Sequence, residues 1–386
     1  MPSPPVFLRS SALSCALGLD LAESLSALKA GRLNAQPIEL TGLAEPVQMP
    51  YYRIPDGTDL FDPERLERWT LKVAAAALEP AALSAAELAK LPVFLGSSSF
   101  AITAAEAAYL EALETKSGHA LALPIIGYDQ VADILAEGLG VKGERFAFNT
   151  ACTASANALL YAARMISLGR FPHALVLGVE LANRTTLAGF SGLQLVADVL
   201  RPFDLKRSGI VLGEGVGAVL LSREAASGAL RLRGGAATFD AYSVTTTDPN
   251  GSQVSALVDE ALQKTGLTTA NVRAIKGHGT GSPLNDLGEA TGLRQSFASQ
   301  ALPPLCALKP YLGHTLGACG VNEAALFGAA LQAGFLPATP NFSEMDPALG
   351  VEPLSKLAPA PDGSYLLNYF GFGGSNTALL LDKGAA

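Results

Sequence analysis

Short β-rich runs alternate with Ala-rich helical stretches along the whole chain, and this alternation limits the possible folds more than any other feature. Strands are expected at Val6–Cys15, Pro92–Ser97, Arg145–Asn149, His173–Gly178 and Ile210–Ser222, with helices at Leu21–Ala30, Thr103–Glu114 and Thr153–Leu168. The second half repeats the rhythm, with helices at Gly251–Lys264, Asn285–Phe297 and Gly317–Ala333. Its strands fall at Val272–Lys276, Leu305–Leu308, Tyr365–Phe370 and Asn376–Leu381. Strands separated by helices call for an α/β layered architecture. Each half also closes on the same device, a Gly-rich turn running into an apolar strand, at Val211–Leu221 and again at Phe370–Leu380. No low-complexity linker intervenes. The pattern predicts one compact unit of two similar halves, residues 1–225 and 226–386. The Pro- and Tyr-richer stretch Ile38–Asp62 is expected to be a surface excursion.

Composition removes several alternatives. Half-hydrophobic content (49%) excludes disorder, and 39 Gly with 24 Pro exclude a coiled coil. A balance of 27 Lys+Arg against 35 Asp+Glu, net −8, with one Trp, gives no basic or aromatic footprint for nucleic acid. Mean hydropathy is +0.29, high enough to raise the question of a membrane. The uncharged runs 146–163, 324–343 and 363–381 are each interrupted by Asn, Ser, Thr, Gly or Pro. None is a predominantly apolar span of about 20 residues. They read as buried core or buried oligomer interface. Met1–Ser11 lacks a basic segment followed by an apolar one, so a cytoplasmic protein is expected. Cys15, Cys152, Cys306 and Cys319 have no CxxC spacing and predict neither disulfides nor a zinc site.

Four windows carry candidate chemistry. In Asn149-Thr-Ala-Cys152-Thr-Ala-Ser155 a strand ends, small residues turn and a helix begins. A Cys there sits near a helix N-terminus, where the dipole and free N–H groups stabilise a thiolate. That is the form of a nucleophile elbow, although the window alone also admits a buried structural Cys, the commoner case. Gly277-His278-Gly-Thr280-Gly-Ser282-Pro-Leu-Asn-Asp286 places a His among glycines and hydroxyls, either a working residue or a satisfied loop histidine. Lys309-Pro-Tyr-Leu-Gly313-His314-Thr-Leu-Gly-Ala-Cys-Gly320 holds a Lys in an apolar setting, which is costly unless paired or functional. Phe370-Gly-Phe372-Gly373-Gly-Ser-Asn376 offers backbone N–H groups to an oxyanion, or is a plain Gly-rich turn. Cys15, Cys306 and Cys319 read as packing, and His119 and His173 as surface or packing residues.

Together and in this order, the windows resemble the β-ketoacyl-acyl-carrier-protein synthases of the thiolase superfamily, most strongly from Phe148 to Leu381. The resemblance implies a thiolase-like fold, two pseudo-repeated halves in an αβαβα sandwich, and a decarboxylative Claisen condensation in fatty-acid, polyketide or aryl-polyene-type biosynthesis. On this reading Cys152 takes an acyl group from a carrier-protein thioester. His278 and His314 stabilise the enolate of a malonyl thioester, and the N–H groups of Cys152 and Phe372 form an oxyanion hole. Lys309 and Glu323 set the electrostatics around the histidines. Thr280, Ser282, Phe190 and Gly373 are expected to contact substrate. No metal or redox cofactor is implied.

The segment Gly189-Phe-Ser-Gly-Leu193 is similar to the compact aryl-polyene-type synthases, whereas Ser282 and Gly96-Ser-Ser-Ser-Phe100 depart from the elongation enzymes. The implied partners are an acyl carrier protein and, in a dimer, a second copy or a second ketosynthase-like subunit. Two basic groups are candidates for the carrier surface: Arg65, Arg68 and Lys72 at i, i+3 and i+7 of a helix, and Lys206 with Arg207. A chain-length-factor-like partner subunit is the alternative. The retained Cys152, His278, Lys309 and His314 argue against it, and the pair of histidines argues against a degradative thiolase.

Overall fold

The computed structural model describes residues 4–41, 45–115 and 127–384; His119 lies outside them. In chain order the strands are β1 (Phe7–Cys15), β2 (Gln36–Leu40), β3 (Val47–Tyr51), β4 (Val93–Gly96), β5 (Arg145–Phe148), β6 (His173–Glu180) and β7 (Gly215–Ser222). They continue with β8 (Leu230–Phe239), β9 (Val272–Lys276), β10 (Leu305–Cys306), β11 (Phe335–Leu336), β12 (Ala358–Pro359), β13 (Gly363–Phe370) and β14 (Ser375–Lys383).

Ten strands form one hydrogen-bonded series, β10-β9-β13-β14-β8-β1-β7-β6-β4-β5. Each set of five follows the same plan. By chain position within its set, the order reads third, second, fourth, fifth, first. The outer pairs β4–β5 and β4–β6 are parallel, as are β9–β10 and β9–β13. The pairs β6–β7 and β1–β7 are antiparallel, as are β13–β14 and β8–β14. The sets meet edge to edge through a short antiparallel pairing, Phe7–Arg231 and Leu8–Leu230, extended by the Leu232 N–H donating to the Val6 carbonyl at 2.8 Å.

The layers follow from what the helices contact. Helix Arg65–Leu78 packs on β1 and β7, and helix Ser252–Thr265 on β8 and β14, as outer layers. Helices Ala154–Ser167 and Cys319–Gln332 touch strands of both sets and form the central layer. A helix enclosed by two sheets must be apolar all round. Every residue from Cys319 to Leu331 is indeed buried. This layer accounts for the first part of the uncharged run at 324–343, through Leu331, and among the described residues no helix is long and apolar enough to cross a membrane.

The two central helices cross backbone to backbone at Gly320 and Ala156, where a Cβ on Gly320 would strike the Ala156 amide nitrogen. Gly320→Val is therefore expected to cost about 3 kcal/mol or more through overpacking, measured as a lowered urea midpoint; an unchanged midpoint would contradict this packing.

Two expectations need correction, and one strand of the main sheet went unread. Ile38–Asp62 is not simply a surface excursion: β2 and β3 form a hairpin, and Leu40, Met49, Tyr51 and Ile54 are buried. The strand expected from Ile210 starts at Gly215, because residues 210–213 leave the sheet, with Gly213 bridging to Tyr52 and Leu212 to His314. Strand β8 escaped the sequence reading, since Arg231, Arg233 and Gly234-Gly235 interrupt its apolar pattern.

Candidate active site

The duplicated fold builds two matching elbows. In the first half a 3-10 turn at Ala151–Thr153 runs into helix Ala154–Ser167; in the second, a turn at Leu316–Ala318 runs into helix Cys319–Gln332. Ala151 has φ +50° and Leu316 φ +41°, left-handed values that cost energy for residues with a Cβ. The first elbow is held by its neighbours. Thr153 Oγ1 donates to the Thr150 carbonyl at 2.8 Å, and Asn157 Nδ2 donates to Thr150 Oγ1 at 2.9 Å. One elbow presents Cys152. The other begins just after His314.

Cys152, His278, His314, Thr280, Ser282 and Phe372 line one cavity of about 40 Å³. The N–H groups of Phe372 and of Cys152 itself face the Cys152 sulfur. The Phe372 N–H is aimed by a tight turn, in which the Gly371 N–H donates to the Ser375 carbonyl at 2.7 Å and the Gly373 N–H to the Val244 carbonyl at 2.7 Å. Gly374, at φ +85°, permits this turn, since a Cβ there would run into the Asp240 carbonyl. The helix N-terminus was expected to favour a thiolate. Burial instead pushes the Cys152 thiol up to about 11, against the pull of the Phe372 N–H and the Lys309 charge. At neutral pH the sulfur is protonated.

Both histidines are neutral, because burial in company with Lys309 drives them well below the ordinary imidazole range. Their tautomers follow from their partners. The Leu316 N–H donates to His314 Nδ1 at 3.2 Å, so that nitrogen accepts and the proton resides on Nε2. Lys309 Nζ lies 3.2 Å from His278 Nδ1 and donates to Glu323 Oε1 at 2.8 Å. Burial opposes the Lys309 charge, but the Glu323 carboxylate outweighs it and holds the ammonium above its ordinary value. An ammonium has only donors, so His278 Nδ1 also accepts and its Nε2 carries the proton. The two rings stand 5.5 Å apart between centroids. The site therefore presents two neutral Nε2–H donors beside a thiol flanked by two backbone N–H groups.

The supporting groups come from distant segments. Glu289 accepts from the N–H groups of His278 at 2.7 Å and Gly279 at 2.9 Å; burial pushes its carboxyl up to about 7. Asp286 accepts from the Thr280 N–H at 3.0 Å. Glu180 accepts from the N–H groups of Ser98 and Gly317, both at 3.0 Å, tying the 97–99 turn to the second elbow. Lys276 donates to Glu323 Oε2 at 2.5 Å.

The family models match on both halves: the N-terminal domain of β-ketoacyl synthase over residues 60–227 and its C-terminal domain over residues 230–343. The chain belongs to the β-ketoacyl synthase family. This ketosynthase-family chain is 32% identical over 280 residues to the 3-oxoacyl-(acyl-carrier-protein) synthase 2 of Synechocystis, covering 68% of this chain and 67% of that one. It is 30% identical over 246 residues to the enzyme of that name from Mycobacterium leprae, covering 60% and 58%. The chain spans 58–60% of the length of the first curated relatives it matches. Among solved structures it is similar to a ketosynthase in complex with its chain length factor from Xenorhabdus doucetiae, with TM-score 0.83, 25% identity and coverage of 99% and 98%.

Other expected residues of this ketosynthase-family chain lie outside the cavity. Phe190 stacks on Phe372 with ring centroids 5.7 Å apart, and Gly373 is exposed, its N–H turned to Val244. Arg65 is not a surface cation. It is 1% exposed, paired with Asp56 at 3.1 Å and Glu214 at 2.5 Å, because it falls on the buried stripe of its helix with Leu66, Trp69 and Val73. Arg207 is likewise spent on Asp346 at 2.6 Å and is nearly buried. Arg68, Lys72 and Lys206 are exposed. Cys319 does more than pack, since its sulfur lies 3.2 Å from His314 Nδ1. His173 packs as expected against Ser222. Sequence reasoning missed Lys276, Glu289, Glu180 and the cavity-lining loop Thr245–Thr247. The run of three threonines was the one local signal for that loop.

Proposed function

We propose that this chain is a condensing enzyme that joins an acyl thioester to a malonyl thioester on an acyl carrier protein, in fatty-acid or polyketide/aryl-polyene-type biosynthesis. The observation that carries the reading is the single cavity shared by the Cys152 thiol, two neutral Nε2–H histidines and the Phe372 N–H. In the first half-reaction the Cys152 sulfur attacks the incoming thioester carbonyl. Its carbonyl oxygen takes negative charge beside the N–H groups of Cys152 and Phe372, and the carrier thiol leaves with the proton of Cys152.

In the second half-reaction the malonyl thioester loses carbon dioxide. The electron pair of the breaking C–C bond passes to the thioester oxygen, where His278 and His314 donate from Nε2. The resulting carbanion attacks the acyl-Cys152 carbonyl, and collapse of that adduct releases the Cys152 thiolate, which is then reprotonated. Thr280 and Ser282, on the cavity wall, support contact with the carrier's polar arm, and Phe190 would act through Phe372. Decarboxylation of this kind needs donors aimed at developing negative charge, which this chain supplies from its own residues.

The carrier surface is assigned to Arg68, Lys72 and Lys206, the basic candidates still open to solvent. The solved ketosynthase paired with its chain length factor supports a dimer, with a second copy or a ketosynthase-like partner. It also favours the second reading, a non-catalytic partner subunit, against which the intact Cys152, His278, Lys309 and His314 speak. The shared strand plan supports a division near residues 225 and 226. Four free cysteines, all buried, support a reducing compartment and hence the cytoplasm.

His278→Ala is the test. Malonyl-thioester decarboxylation is expected to fall about 10²–10³-fold, with acylation of Cys152 retained. Undiminished decarboxylation would remove the assignment.

A further inference from the structure

Among the buried ionisable groups that the condensation steps do not use is Lys276. Lys276 ends β9, two residues before His278, and has no exposed surface. Its ammonium donates to Glu323 Oε2 at 2.5 Å and to the Asn368 carbonyl at 2.8 Å, and lies 3.7 Å from the centroid of the Tyr369 ring. Lys309 takes the other oxygen of the same carboxylate. A lone Lys–Glu pair would balance its own charge. Here two ammonium groups share one carboxylate, so these three groups by themselves carry a net charge of +1 behind the histidines, with the Glu289 carboxyl as the next acidic group acting on Lys276.

We propose that Lys276 is a positioning residue for condensation: by holding one oxygen of Glu323 it leaves Lys309 to His278 Nδ1, and its charge makes the cluster cationic behind the two Nε2–H donors. The inference rests on the reading of His278 and His314 as donors to the enolate oxygen. A fixed positive charge in a dry site stabilises negative charge that develops in the transition state without reorganising. It also disfavours protonation of the histidines, which would otherwise take up a proton on Nδ1 and turn from the geometry described.

Other ionisable groups face this cluster, among them Cys152, whose thiol feels the Lys309 charge. Helix Pro283–Ser296 contributes Glu289, whose carboxyl faces the His278 and Gly279 amides; strand β10 contributes Cys306, raised to about 12 by burial. The second elbow contributes His314 and Cys319, and β13 contributes Tyr369. Burial is the first cause of the downward shift of both histidines, with Lys309 next and Lys276 also contributing. Burial likewise pulls Lys276 itself below its ordinary value.

The chain has only four histidines, so imidazole nitrogen NMR can read each tautomer and titration. In Lys276→Met, His278 and His314 are expected to titrate at higher pH than in the unaltered enzyme. The acid limb of the decarboxylation profile should move up with them. The rate on the plateau should fall about tenfold, less than the loss of a direct oxyanion donor, with KM little changed, and Lys276→Arg should recover most of it. A folded Lys276→Met whose histidine titrations and acid limb stay in place would overturn the inference. Should that variant not fold, lysine side-chain NMR of the unaltered protein decides: a Lys276 amine found neutral at pH 7 also overturns it. If the unaltered enzyme instead carries its histidine protons on Nδ1, the donor reading itself fails, a result distinct from either of these.

Discussion

Replacing Cys152 with Ala is expected to abolish self-acylation and condensation while leaving malonyl decarboxylation in place. The sulfur is the one atom that forms and breaks a bond to the acyl group, so loss of condensation on the order of 10⁴-fold or more is expected. The decarboxylating half depends on other atoms. His278 and His314 draw their tautomers from Lys309 and from the Leu316 amide, through hydrogen bonds that do not involve Cys152 Sγ. The fold should tolerate the change, since Cys152 is already surrounded by small residues at its elbow and loses only one buried atom. Parallel assays of product formation and carbon dioxide release separate the halves. Simultaneous loss of both from a folded variant would show that the histidines depend on the cysteine after all.

Glu323→Ala is expected to be the most damaging single change to stability. It strands two ammonium groups, Lys276 and Lys309, in a fully buried position. Removing one partner of a buried pair typically costs about 3–5 kcal/mol because the remaining charge is uncompensated. Burial opposes the charge on Glu323 too, yet the two lysines pull its carboxyl below the ordinary range, so the carboxylate is charged across the working pH range. Its contribution is present above the unfolded carboxyl value and is lost as pH falls through the lower folded value. Urea unfolding at neutral pH measures the cost. A change below about 1 kcal/mol would mean that the lysines are neutral and the cluster is not ionic. Glu323→Gln, which keeps the shape and one acceptor, should lie between the two.

Much of this site was legible because its parts are local. Thr150-Ala-Cys152-Thr is an elbow within one turn, and the glycines around His278 and His314 mark places where backbone must come close. The alternation of strands and helices carried the layered fold for the same reason: periodicity is written residue by residue. What remained hidden depends on residues meeting from far apart. Lys276 reads as the polar end of a strand until Glu323, 47 positions on, is brought to it. Glu289 and Glu180 look like ordinary helix and strand-end carboxylates until backbone amides converge on them. Arg65 misled for the reverse reason. Its spacing with Arg68 and Lys72 matched a basic face, but the stripe through Leu66, Trp69 and Val73 is the one the sheet covers, and Asp56 and Glu214 are waiting there. The uncharged runs read as buried core or interface, but which layer they fill is not written locally. The central helix layer emerged only once the two five-strand sets were seen to enclose it.

The most direct measurement of the central claim is the intact and peptide-resolved mass of the protein after incubation with a panel of acyl-carrier thioesters. The account predicts a mass increase equal to one acyl group, carried on the peptide containing Cys152 and absent from Cys152→Ala. An adduct that persists in Cys152→Ala, or that resides on Cys319 or another residue, would contradict it.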